Sequence, residues 1–187
     1  MRKIVVSELL SLDGVAVVIP RRRGRGSRQV PHRLGRRRDG REVSAVIDTQ
    51  DAVILGRRSY DEWVRFWPES TIEPYATFIN AVAKFVVTST PLDREWANAC
   101  VVEGGLIEFV HELQDQPGGD IGVHASISVA QALLAAGVVD ELKLVIAPTI
   151  AGSGRRLLDG LPAQRLELIR SATSPTGSLL VDYRVIR

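Results

Sequence analysis

Apolar and polar positions along the chain fall into two alternating periods. "KIVVSELL" (3–10) and "DAVILG" (51–56) are short runs of Val, Ile and Leu that predict strands, the second apolar on both faces. "AKFVVTS" (83–89) and "ACVVEG" (99–104) predict further buried strands, and "DIGVHA" (120–125) another. Between them lie segments of helical period. "RSYDEWVRFW" (58–67) spaces Tyr60, Trp63, Val64 and Trp67 at helical intervals, and "LIEFVHELQ" (106–114) puts Leu106, Phe109, Val110 and Leu113 on one face. "SVAQALLAAG" (128–137) is a third helix, with Gly137 placed to cap its C-terminus. "VVDELKLVIAPTI" (138–150) is the longest predicted strand. The last two, "LELIRSATS" (166–174) and "SLLVDYRVI" (178–186), are joined by "PTG", which reads as a hairpin turn.

Strands alternating with helices predict an α/β domain around a mainly parallel sheet, with an antiparallel edge from the C-terminal hairpin. No repeat or linker divides the 187 residues, so a single domain over 1–187 is expected. No apolar run approaches a membrane span, and Ser7 and Glu8 break the N-terminal run too early for a signal peptide. The lone Cys100 supports neither a disulfide framework nor a cysteine metal cluster. The expectation is a cytoplasmic protein with no membrane partner.

One segment breaks the pattern. "IPRRRGRGSRQVPHRLGRRRDGR" (19–41) holds ten arginines against one acidic residue, Asp39. The whole chain has 24 Lys+Arg and 22 Asp+Glu; outside this stretch 14 basic and 21 acidic residues remain, a net of −7. A nucleic-acid-binding domain spreads its basic residues over a face of the fold. Here they sit in one segment, which argues against nucleic acid as the partner.

In an open α/β sheet, ligands bind beyond the carboxyl ends of the strands. Three predicted ends carry anion-binding chemistry. In "DAVILGRRSYDEW" a buried strand ends at Gly56, Arg57 and Arg58 follow, and Ser59 is placed to cap a helix whose N-terminus offers free N–H groups. In "KFVVTSTPLD" the strand runs into Thr88, Ser89 and Thr90, hydroxyls suited to a ribose phosphate. In "DIGVHASISVAQALL" the strand ends at His124, and Ala125, Ser126, Ile127 and Ser128 lead into a helix. The small Ala125 lets a pyrophosphate approach the backbone. Taken singly, these are also a solvated helix start, a polar turn and an ordinary N-cap. Together they favour an extended ligand such as a dinucleotide, although no G-x-G-x-x-G follows the first strand. "GSGRRLLDG" (152–160) reads as the turn after the long strand rather than as a phosphate loop.

The same residues resemble a known family: the dihydrofolate-reductase-like fold, in the branch of the C-terminal reductase domain of riboflavin-biosynthesis deaminase–reductases. The likeness rests on "SLDG" (11–14), "LGRRSYDEW" (55–63), "VVTST" (86–90), "GVHASISVAQALL" (122–134) and "VDELKLVIAPTIAGSGRRLLDG" (139–160), in this order. It implies a three-layer fold and an NADPH-dependent reductase, usually a homodimer, acting on a small heterocycle or an open-chain ribosylamine. Carried over residue by residue, it implies that Gly56, Arg57, Arg58, Ser59, Thr88 and Ser89 meet the adenosine side and its 2′-phosphate. Ala125, Ser126, Ile127 and Ser128 would hold the pyrophosphate; relatives usually have Gly–Ser where this chain has Ala125–Ser126. Asp13 is the candidate for aiding proton delivery, or else an Asp–Gly turn residue bonding its own backbone. Trp63 and Trp67 either wall the substrate side or pack in the core. A non-catalytic nucleotide-binding protein of this fold is the alternative from another class, and a nucleic-acid binder using the arginine run stands behind it.

Residues 17–43 stand outside the resemblance and are dominated by Arg and Gly, whose codons are GC-rich. Two compensating frame slips, in the gene or in its reading, near Val17 and near Val43, would produce this mixture. The resemblance implies that this stretch occupies the place where relatives build much of the substrate wall.

Overall fold

The computed structural model describes residues 1–16 and 46–187, so the arginine-rich segment and the expectations attached to it lie outside the described residues. The strands are β1 (Ile4–Ser11), β2 (Gln50–Gly56), β3 (Ala83–Val87), β4 (Ala99–Val101), β5 (Asp120–His124), β6 (Glu141–Ala147), β7 (Arg165–Thr173) and β8 (Leu179–Ile186). They form one sheet in the spatial order β4-β3-β2-β5-β1-β6-β8-β7. β1 to β6 pair in parallel; β8 pairs antiparallel with both β6 and β7. The parallel strands therefore end on one common edge.

The period of two in the strands decides the layers. Ile4, Val6, Leu10, Ala52, Ile54, Ile121 and Val123 face one way, onto α3 (Leu106–Asp115) and α4 (Ile127–Ala135) through Val110, Leu113, Val129 and Leu133. Val53, Leu55 and Val86 face the other way, onto α1 (Arg57–Trp63) and α2 (Tyr75–Ala81) through Tyr60, Trp63, Tyr75 and Ile79. Helices thus cover both faces, as the resemblance implied. Each such side chain, fully buried, is worth about 1.5–3 kcal/mol. α4 stops at a left-handed Gly137 (φ 69°), whose N–H bonds the carbonyl of Leu134 while that of Val138 bonds Leu133, the expected glycine cap. The turn between β7 and β8 closes through Ser174 and Ser178, with Gly177 at φ 83°.

Four local readings need correction. The strand predicted over 138–150 is only Glu141–Ala147, because Val138 completes the helix cap and Pro148, lacking an N–H, ends the ladder. The helix predicted to Trp67 stops at Trp63, and a 3-10 turn, Trp67–Glu69, follows at Pro68. The strand at 99–104 is a three-residue edge, partly exposed rather than buried. Helix α2 was not foreseen at all. It lies behind Pro74, and its C-terminal carbonyls are held by a buried charge: the Lys84 ammonium donates to Ile79 O at 2.9 Å and Val82 O at 2.7 Å. Burial lowers the Lys84 pKa to about 8.

Candidate functional site

The ends of β2 and β5 are adjacent in the sheet, and two hydroxyls tie them together. Ser126 Oγ accepts the Gly56 N–H at 2.9 Å, and Ser59 Oγ donates to the Ala125 carbonyl at 2.5 Å. The N-cap of α1 is Gly56, with no side-chain cap bond, so Ser59 spans to the neighbouring turn instead of capping its own helix. A Cβ on Gly56 would stand 3.4 Å from Val129 Cγ2 and 3.9 Å from Ser126, which keeps this approach close. Ala125 is exposed and held at φ 48°, a conformation that costs an L-residue roughly 1–2 kcal/mol and that glycine adopts freely. Ile127 and Ser128 open α4. Ser128 Oγ accepts from Arg155 Nη2 at 3.0 Å, so a guanidinium from the loop after β6 stands at this helix N-terminus.

The two arginines after β2 have different fates. Arg57 is committed: its Nε sits 2.9 Å from both Asp61 carboxylate oxygens, and its Nη atoms donate to Thr90 Oγ1, the Pro91 carbonyl and Asp93. The Asp61 hydrogen bond first, and the two carboxylate charges after it, raise its pKa. Arg57 thereby fastens the loop after β3 to α1. Arg58 is exposed and makes no side-chain hydrogen bond or ion pair among the described residues. Thr88 Oγ1 accepts the Thr90 N–H at 3.1 Å in a local turn, leaving Ser89 exposed at its tip.

Asp13 clamps two loops. Its carboxylate accepts Ser11 Oγ at 2.6 Å and the N–H groups of Ala151 and Gly152 at 2.9 Å each, and its carbonyl accepts Arg156 Nε at 3.0 Å. The Ser11 hydrogen bond, then that of Ala151, hold its pKa down at about 2. Such a carboxylate carries no proton at neutral pH. The segment 152–160 is the turn the sequence predicted, and it is tied to both Asp13 and α4.

Beneath this edge lies a polar chain that the sequence reading missed. Tyr75 OH is 2.9 Å from His124 Nδ1, His124 Nε2 is 2.8 Å from Gln50 Oε1, and Gln50 Nε2 donates to Val46 O at 2.9 Å. Because Gln50 spends its amide N–H on Val46, its oxygen faces His124, so a neutral imidazole carries its proton on Nε2 and accepts from Tyr75 on Nδ1. Trp63 and Trp67 are buried at 7% and 2% exposure and pack edge-on and tilted against Tyr75, with ring centroids 6.0 and 4.7 Å away. They back the tyrosine. The only signal for this chain in the sequence was His124 at a strand end.

A second unforeseen group is Glu8. It is a carboxyl at an inward position of β1, 7% exposed, with its Oε1 buried and without a hydrogen-bond partner among the described residues. A charged residue breaking the apolar period of "KIVVSELL" was its sequence signal.

The family model of the RibD C-terminal domain matches residues 2–180 of the chain. The chain belongs to the RibD C-terminal domain family. Its fold agrees with three solved structures. A protein assigned to riboflavin biosynthesis from Shewanella sp. PV-4 shares 20% identity over 99% of both chains, with a TM-score of 0.74. The deaminase/5-amino-6-(5-phosphoribosylamino)uracil reductase of Thermotoga maritima shares 13% over 99% of this chain and 57% of that one, at 0.65. The dihydrofolate reductase of Schistosoma mansoni shares 12% over 99% of both, at 0.63.

The RibD C-terminal and dihydrofolate-reductase-like relationship is the one expected from the sequence, and the observed sheet with its antiparallel C-terminal hairpin conforms to it. In this family member the strand-end edge carries Arg58, Ser89 and the Ala125–Ser128 turn. Among the described residues no cluster of His, Cys, Asp and Glu could hold a metal ion, and no helix is long and apolar enough to cross a membrane.

Proposed function

We propose that this RibD C-terminal domain protein is an NADPH-dependent reductase of a small heterocyclic or ribosylamine substrate, of the riboflavin-pathway type. The observation that carries the reading is the pair of hydroxyl bridges, Ser126 to Gly56 and Ser59 to Ala125, which lock two strand-end turns into one anion-facing edge. The residues present fit a dinucleotide phosphate. The turn amides at 125–128 and the Arg155 guanidinium offer donors for a pyrophosphate, and the exposed Arg58 and Ser89 offer them for a 2′-phosphate.

When bound, NADPH supplies the hydride. The chain's own residues orient it. Gly56, Ser59 and Ser126 fix the turns, Arg57 and Thr88 hold the loop that presents Ser89, and Ile127 and Ser128 open the helix at the pyrophosphate. Asp13, ionised, anchors the loops after β1 and β6; its part is positioning rather than proton delivery. Tyr75 and His124, backed by Trp63 and Trp67, place a hydroxyl and an imidazole in a buried hydrogen-bonded chain that could pass or hold a proton.

The edge strand β7 leaves Leu166, Leu168 and Ile169 exposed by 42, 54 and 45%. An unpaired apolar edge invites pairing, and the reading includes a homodimer formed there. A monomer at micromolar concentration by light scattering would remove that part. The activity itself is tested by following NADPH consumption with 5-amino-6-(5-phosphoribosylamino)uracil and, in parallel, with dihydrofolate. Turnover of the first is expected; cofactor binding with turnover of neither substrate would point to the non-catalytic alternative.

A further inference from the structure

Glu8 is unlike its neighbours on β1. It shares its strand face with Ile4, Val6 and Leu10, the face covered by α4, where the packing residues Val129, Ala130 and Leu133 are apolar. β5 ends at His124 opposite Ser7, so Glu8, within β1, is the first residue beyond that pairing and stands level with the start of the β5–α4 turn. One of its oxygens, Oε1, is buried with no hydrogen-bond partner among the described residues, and the Ser126 backbone amide, at the N-terminus of the nine-residue α4, favours its charged form.

Among the described residues, the charged groups nearby do not neutralise it. Lys143 is in register with Ser7, as is His124, which puts both on the opposite face of the sheet; Leu144 is the β6 neighbour of Glu8. Arg155 is bonded to Ser128, and Arg156 to Asp13. Burial raises the Glu8 pKa to about 8, opposed by the Ser126 backbone amide.

We propose that Glu8 is a positioning residue that must be neutral for the β5–α4 turn to hold an anionic ligand, so that dinucleotide binding is linked to a proton on Glu8. The inference rests on the reductase reading above. An ionised Glu8 would set a second negative charge against the same amides and the same positive helix end that a phosphate uses. A neutral Glu8 keeps the turn in place and leaves that end to the ligand.

The test has two parts. NADPH and inorganic pyrophosphate are titrated from pH 6 to 9.5 into the wild type and into Glu8→Gln, which mimics the neutral carboxyl. The wild-type affinity should be level below about pH 8 and then fall by up to ten-fold per unit, whereas Glu8→Gln should keep the neutral-pH affinity and lose that fall. The same profile in both proteins overturns the proposal, as does a Gln variant that folds but binds weakly at neutral pH. Separately, the Glu8 carboxyl is titrated by carbon-13 NMR in the ligand-free wild type. A pKa in the ordinary range overturns the linkage even if NADPH binds. Absence of binding of both probes at every pH, with Glu8 titrating near 8, refutes the dinucleotide reading, and the linkage falls with it.

Discussion

Ser126 Oγ accepts the N–H of Gly56 across 70 residues of sequence, at 2.9 Å, and is itself 3% exposed. The amide it satisfies belongs to the last residue of β2, which is the N-cap of α1, an end that has no side-chain cap bond. Ser126→Ala leaves that N–H without its acceptor. A loss of about 1–3 kcal/mol is expected, read as a lower midpoint in urea with an unchanged slope, together with weaker cofactor binding. Equal stability would mean that water replaces the hydroxyl without cost.

Ala125 occupies a left-handed position that glycine fills without strain. Ala125→Gly should stabilise the chain by roughly 1 kcal/mol and tighten NADPH several-fold, because the methyl group no longer limits approach to the turn. Thermal melts and a fluorescence titration check the two halves separately.

Arg57 and Arg58 should part company on substitution. Arg58→Ala is expected to weaken NADPH about ten-fold or more while leaving NADH nearly unchanged, since an exposed guanidinium would serve the 2′-phosphate. Arg57→Ala releases Thr90, Pro91 and Asp93, and should lower the protection of residues 88–93 in hydrogen exchange as well as weaken both cofactors. If both variants discriminate equally between the cofactors, the assignment of Arg58 is wrong.

Asp13 gives an acid-limb prediction. Its folded pKa of about 2 lies below the ordinary 3.8, so its contribution to stability is present above pH 3.8 and is lost as pH falls through about 2. Asp13→Asn should be less stable than wild type at neutral pH, and the difference should shrink over that window. A proton-delivering Asp13 would instead add an ionisation near neutrality to the pH profile of kcat, which the positioning role does not.

The strand-end turns were legible because their chemistry is local: Gly56 with two arginines, three hydroxyls after β3, and small residues before α4. Local pattern also gave the α/β alternation, the Gly137 cap and the C-terminal hairpin. Residues meeting only through the fold were not legible. Tyr75 reaches His124 from a helix whose carbonyls depend on Lys84, an ammonium that strand periodicity places in the core without saying what it bonds. A serine early in a helix reads locally as a cap, as Ser59 does; the neighbouring Ala125 carbonyl competes for it only once β2 and β5 are adjacent. The 17–43 stretch remains a statement about sequence, and resequencing with peptide mass mapping decides it: compensating frame slips are expected, and an uninterrupted frame would refute them.

The most direct measurement is an equilibrium titration of the purified wild-type chain with NADPH, followed by cofactor fluorescence, with NADH alongside. Saturable binding in the micromolar range or tighter, stronger for NADPH than for NADH, is the expected result. No binding at high micromolar NADPH would contradict the assignment of the strand-end edge to a dinucleotide, and with it the reductase reading.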